Sequence, residues 1–170
     1  MADIGFIGLG NMGAALVRRL MREHTLHVWD LNPVAVESLV AEGAIAANGP
    51  ADVGASGAEM VITCLPTSAQ VEEVLFDEGG LSQTLAEGSL VADMTTGDTM
   101  ITKQLAARLA RQAKALLART AVVVLRARRL WDVRAVGTLA VVSRARLVAQ
   151  EVARAAFAAV GVLRARLLSD

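Results

Sequence analysis

Six consecutive residues near the start of the chain, Gly8-Leu9-Gly10-Asn11-Met12-Gly13, have types and spacing suited to holding a phosphate. They form a G-x-G-x-x-G pattern. In such a loop the first glycine permits a tight turn, the second lets a pyrophosphate approach the main chain, and the third lets a helix pack close to a strand. The pattern carries this meaning only between a strand and a helix. Here the short uncharged run Ile4–Ile7 precedes it, and Asn11–Arg22 follows with Met12, Leu16 and Leu20 at helical spacing. The free amides and positive dipole end of that helix would face the anion, a dipole contribution of roughly 0.3–2 kcal/mol. The alternative for the loop is an ordinary glycine-rich turn.

Asp30 follows Gly13 by 17 residues and closes a second apolar run that starts at Thr25. An acid at that place accepts hydrogen bonds from ribose hydroxyls and repels a 2′-phosphate. Leu31 and Asn32 come next, with no arginine to receive a 2′-phosphate. The expected ligand is therefore NAD in preference to NADP, unless Asp30 is only a solvated strand-end acid. Other reactive side chains point nowhere so definite. Cys64, the single cysteine, reads as a small buried hydrophobe without a neighbouring base. His24 and His27 read as surface or strand residues, not metal ligands, and Trp29 as core or cofactor-edge packing with core favoured. No metal-ligand set, no paired carboxylates and no Ser-His-Asp order can be argued.

The elements that would position these residues alternate. Strands are expected at Ile4–Ile7, Thr25–Asp30, Ala44–Ala46 (weak), Met60–Leu65, Leu90–Asp93, Ala121–Leu125 and Thr138–Val142. Helices are expected at Asn11–Arg22, from Pro33 to about Ala41, Ala51–Ser56, Ala69–Phe76, from an N-cap at Asp98 to about Leu117, and Leu147–Val160. Alternation on this scale implies an α/β fold, a doubly wound and mostly parallel sheet with helices on both faces. Strands this short and uncharged suit burial on both sides.

Four stretches in order carry a resemblance over about residues 3–112. Gly5-Phe6-Ile7-Gly8-Leu9-Gly10-Asn11-Met12-Gly13, Val28-Trp29-Asp30-Leu31-Asn32-Pro33, Cys64-Leu65-Pro66-Thr67-Ser68 and Asp93-Met94-Thr95-Thr96 resemble motifs of the β-hydroxyacid dehydrogenase family. That family includes 3-hydroxyisobutyrate dehydrogenase and is similar in its N-terminal domain to 6-phosphogluconate dehydrogenase. The resemblance implies a Rossmann-like fold and an oxidoreductase acting on a CH–OH group with NAD as acceptor. It also implies that Leu65 and Pro66 line the cofactor, that Gln70 stands near it where many members have Asn, and that Thr96 lies near the nicotinamide. Pro66 could equally serve only to stop a strand, Thr96 could be a helix-capping loop residue, and Gln70 could be an ordinary helix-surface residue.

Beyond that point the chain departs from the family. Val124-Leu125-Arg126-Ala127-Arg128-Arg129-Leu130 stands where the family has a serine- and glycine-rich substrate motif, before similarity returns at Gly137-Thr138-Leu139. The family's helical domain, with its catalytic lysine, would follow. Lys103 and Lys114 do not match that lysine. Residues 1–162 are expected to form the cofactor domain, divergent over 113–135, with 163–170 a short tail. The C-terminal helical domain is expected to be absent, so cofactor would bind without turnover.

Composition agrees with one domain of 170 residues. The 17 basic and 17 acidic residues balance overall, yet residues 1–100 hold three basic and 14 acidic side chains, and residues 101–170 hold 14 and three. Balance argues against an overall polybasic nucleic-acid binder, and no nucleic acid is expected as a partner. A frame change over roughly residues 113–135 would account for the arginine excess. One cysteine, no visible signal peptide and no membrane-length apolar run suggest a reducing, cytoplasmic setting. Two further readings stand beside the dehydrogenase domain: a stand-alone NAD(H)-binding or redox-sensing module, and an arginine-rich half that binds nucleic acid or an acidic surface. The missing helical domain or a second copy of the chain is the expected protein partner.

Overall fold

The computed structural model describes residues 1–86, 89–115 and 121–124, with 112–115 and 121–124 described by backbone alone. Among the described residues six strands form one sheet: β1 (Asp3–Ile7), β2 (Thr25–Trp29), β3 (Ile45–Ala46), β4 (Met60–Thr63), β5 (Leu90–Asp93) and β6 (Ala121–Val124). Their order is β3-β2-β1-β4-β5-β6, and every pairing is parallel. Five helices connect them: α1 (Asn11–Leu20), α2 (Pro33–Ala41), α3 (Pro50–Ala55), α4 (Ser68–Phe76) and α5 (Thr99–Ala115). A single 3₁₀ turn spans Leu81–Gln83.

The strand sequences dictate the layering. Alternate residues of a strand point to opposite faces. Ile4, Phe6, Leu26, Val28, Met60, Ile62, Leu90 and Ala92 therefore form one apolar layer with Leu16, Val17 and Leu20 of α1 and Leu39 of α2. Ile7, Val61 and Val91 join Val53 of α3, Val71 and Leu75 of α4, and Leu105 and Leu109 of α5 on the other face. Both faces are dry, which is why β4 and β5 carry no exposed residue. Truncating one of these core leucines or isoleucines to alanine costs about 2–5 kcal/mol.

The topology creates one special place. From β1 the chain moves outward through β2 to β3, then crosses back to β4 on the opposite flank of β1. The connections leaving β1 and β4 diverge at the carboxyl edge, and the crevice between them is where parallel α/β sheets bind ligands.

The expected elements are present within the described residues, with shifted ends that have local causes. The sheet there is wholly parallel. β2 stops at Trp29 because the Trp29 carbonyl accepts the Gly8 N–H (3.1 Å) and the Asp30 side chain turns to accept the Asn32 N–H (2.8 Å). α1 stops at Leu20, short of Arg22, because the Glu23 and His24 amides both donate to the Leu20 carbonyl. β4 ends at Thr63, not Leu65, since the Leu65 N–H is taken by the Thr95 hydroxyl (3.1 Å). Asp98 caps α5 as expected, its Oδ1 accepting from the Met100 and Ile101 amides at 2.6 and 3.2 Å. The expected helix end at Leu117, the strand Thr138–Val142, the helix Leu147–Val160 and the domain limit near 162 lie outside the described residues. So do 116–120 and 125–135 of the divergent stretch.

Candidate dinucleotide-binding site

The glycine loop joins β1 to α1, and its three glycines meet different constraints. Gly8 has φ +98°, a left-handed conformation that favours glycine, and a Cβ there would run into the Cys64 carbonyl at the end of β4. A Cβ on Gly13 would collide with the Gly8 carbonyl oxygen and sit 3.2 Å from the Phe6 ring, so α1 can lie against the strand only with glycine at this point. Gly10 is unlike both. Its φ is −60°, and nothing lies within 4 Å of where its Cβ would be. Among the described residues no packing demands glycine there, whereas close approach of a ligand would.

The first turn of α1 is left open. Gly10 is its N-cap, with no side-chain cap, and no acid occupies the turn. The first amides of a helix have no partner within it. Together with the helix dipole they make a ready site for an anion.

Asp30 stands beside this opening. Its Oδ2 accepts the Leu9 N–H at 2.5 Å and its Oδ1 accepts the Asn32 N–H. These bonds fix the carboxylate at the end of β2 and tie it to the glycine loop. Each oxygen of a carboxylate has a second lone-pair site, so acceptor capacity remains for a diol.

A cleft of about 560 Å³ joins these parts. Gly8, Gly10, Asn11, Met12 and Gly13 line its floor, with Trp29, Asp30 and Leu31 at the β2 end. Cys64, Leu65, Pro66, Met94 and Thr96 line it at the ends of β4 and β5, and Gln70, Glu73 and Val74 of α4 form a wall. The β4–β5 end is braced from beneath. Buried Asp93 accepts hydrogen bonds at Oδ1 from the Thr63 hydroxyl (2.9 Å) and the Thr95 N–H (3.0 Å), while Thr95 Oγ1 holds the Leu65 amide. Burial, and secondarily the Asp93 charge, push the Cys64 thiol above its ordinary range. Cys64 is thus held as a protonated thiol, a poor nucleophile.

Eleven of the 12 residues singled out from the sequence line this one cleft: Gly8, Gly10, Asn11, Met12, Gly13, Asp30, Leu31, Leu65, Pro66, Gln70 and Thr96. Leu9 does not. Its side chain is buried in the core, and its amide is committed to Asp30. Trp29 combines both readings considered for it, packing on the apolar layer while lining the cleft. Glu73, Val74 and Met94 escaped notice, although Glu73 and Val74 fall three and four residues after Gln70, on the same helical face. His27 Nε2 lies 3.6 Å from Asp3 Oδ1, away from the cleft. Among the described residues no group of His, Cys, Asp and Glu could hold a metal, and no helix is long and apolar enough to cross a membrane.

A parallel sheet in this order, with an open glycine loop at the switch point and an acid ending β2, defines a Rossmann-type dinucleotide-binding domain. The chain belongs to the family of the NAD binding domain of 6-phosphogluconate dehydrogenase, which matches residues 3–120. It is 44% identical over 108 residues to 3-sulfolactaldehyde reductase of Escherichia coli, covering 63% of this chain and 36% of that enzyme. A solved 3-hydroxyisobutyrate dehydrogenase of Mycobacterium tuberculosis with L-serine superposes with a TM-score of 0.65 at 25% identity, covering 73% of this chain and 40% of that one. A complex of Psf3 with NADP+ and 2-OPP superposes with a TM-score of 0.61 at 27% identity, covering 70% and 40%. The chain therefore spans about a third of the length of the curated relatives it matches.

Proposed function

We propose that this chain is the cofactor domain of a 3-hydroxyacid dehydrogenase of the 3-hydroxyisobutyrate type, binding NAD(H) in preference to NADP(H). The observation that carries the reading is the uncapped start of α1 facing the cleft beside Asp30. The α1 amides and the open flank of Gly10 suit a pyrophosphate, and Asp30 suits the adenosine ribose. Leu65, Pro66 and Thr96 lie at the far end, where the nicotinamide would be placed. The bound dinucleotide would supply the hydride acceptor.

Titration calorimetry of the full chain with NADH and NADPH tests this. NADH is expected to bind at least about tenfold more tightly, equivalent to roughly 1.4 kcal/mol. Absence of binding by either would overturn the cofactor reading, and equal binding would overturn the role of Asp30.

By itself the chain would bind cofactor without turnover. Oxidising an alcohol by hydride loss also requires proton transfer from the same oxygen, a contribution of about 10²–10⁴-fold in rate. Among the described residues, the titratable side chains lining the cleft are Asp30, Cys64 and Glu73. Asp30 is tied to the Leu9 amide, Cys64 is held protonated, and Glu73 stands on α4, not at the strand ends where Leu65, Pro66 and Thr96 lie. Proton transfer would then fall to the helical domain of such enzymes or to another chain. Efficient NADH production from 3-hydroxyisobutyrate or L-serine by this polypeptide would sink the claim.

A further inference from the structure

Glu73 has no role in the argument so far. It follows Glu72 on α4, but the two acids have different surroundings. Glu72 receives a hydrogen bond from Arg108 Nη1 at 3.1 Å, and that guanidinium also stacks over Phe76. Glu73 lines the cleft, and no hydrogen bond or ion pair engages its carboxylate among the described residues. Its neighbour Val74 packs against the same apolar layer as Trp29, the residue that precedes Asp30. Glu73 and Asp30 thus line one cleft, Glu73 from α4 and Asp30 from the end of β2. No Lys, Arg or His lines the cleft among the described residues, so nothing there neutralises a carboxylate.

We infer that Glu73 is a second cofactor-specificity residue, whose unpaired carboxylate adds to Asp30 in opposing the 2′-phosphate of NADP(H). The inference rests on the cofactor reading above. The physics is long-range repulsion between a carboxylate and a phosphate dianion across a cleft that holds no countercharge. It needs no direct contact, and salt weakens it. Asp30 acts where the 2′-oxygen sits; Glu73 acts from the facing wall.

The test compares the ratio of NADPH to NADH affinity in the full chain and in Glu73→Gln, Glu73→Lys and Glu72→Gln, at low and high salt. Removing one charge should shift the ratio toward NADPH by about threefold in Glu73→Gln, and reversing it by about tenfold in Glu73→Lys, at low ionic strength. Both shifts should shrink toward none at about 0.5 M salt, where the screening length is only a few ångströms. Glu72→Gln, with the same formal charge change outside the cleft, should move the ratio less than Glu73→Gln does. A ratio unmoved by Glu73→Lys, moved equally by Glu72→Gln, or shifted to the same extent at high salt would overturn the inference while leaving NADH binding itself in place. If the unsubstituted chain binds neither nucleotide, the cofactor reading falls and this inference with it.

Discussion

Helices α1, α4 and α5 each start just beyond a strand at the carboxyl edge of the sheet, yet their first turns are finished differently. Thr67 accepts the Gln70 amide at the start of α4, and Asp98 accepts two amides at the start of α5. α1 starts at Gly10 with no such acceptor and no acid in its first turn. Where a helix end serves only structure, the chain satisfies it with its own oxygen. At the switch point no side chain caps the first turn, which suits the pyrophosphate proposed for it.

The largest effect should come from closing the loop against the sheet. Gly13→Ala would force a methyl group into the Gly8 carbonyl and the Phe6 ring, and backbone cannot step aside as a side-chain tip can. A loss of about 2–4 kcal/mol in urea unfolding is expected. Unaltered stability would mean that the close approach of α1 is not needed. Gly10→Ala sharpens the same comparison. It has room within the protein and an ordinary backbone conformation, so stability should stay within about 0.5 kcal/mol. NADH affinity should nonetheless fall more than about tenfold; calorimetry showing native affinity would remove the ligand explanation for Gly10.

Opening a closed helix end is the converse test. Asp98→Ala leaves two α5 amides without their acceptor and should cost about 1 kcal/mol. It should not create NADH binding of its own, because the α5 end lacks a glycine loop. The smallest expected effect lies at the opposite end of α1. There Arg18 donates to both carboxylate oxygens of Glu42, just past α2. That hydrogen bonding holds the Glu42 carboxyl below its ordinary range. A depressed folded-state value means the pair stabilises above the ordinary carboxylate range and is lost as pH falls through the folded value. Urea midpoints should therefore drop slightly less on acidification in Glu42→Gln than in the native chain, by little, since the pair is exposed. NADH affinity at neutral pH should be unaffected; a change there would show that the two ends of α1 are coupled.

Much of the candidate site is legible because its rules are local. Glycine spacing after an apolar run, an acid at the end of the next run, and Pro or Asp at helix starts each express chemistry within a few residues. Gly8, Gly13, Asp30 and Asp98 could be read in this way. The Leu9 side chain and the wall formed by Glu73 and Val74 could not. Leu9 sits inside the motif, but its direction depends on the core beneath the loop. The cleft-facing side of α4 depends on how the helix rolls against the sheet, which Val71 and Leu75 decide by packing beneath it.

The sequence by itself determined the alternation of strands and helices, the place of the glycine loop and the acid that follows it. These follow from hydrophobic periodicity and from the steric freedom of glycine, which act between near neighbours. Only the tertiary structure decided that Asp30 grips the Leu9 amide, that Asp93 braces Thr63 and Thr95 beneath the cleft, and that Glu73 faces the cleft while Glu72 faces Arg108. The Asp30–Leu9 and Asp93–Thr63 bonds join residues 21 and 30 positions apart, the latter pair brought together by strand register. Such partners become neighbours only when the parallel strands align, because register, not proximity along the chain, brings them within hydrogen-bond reach.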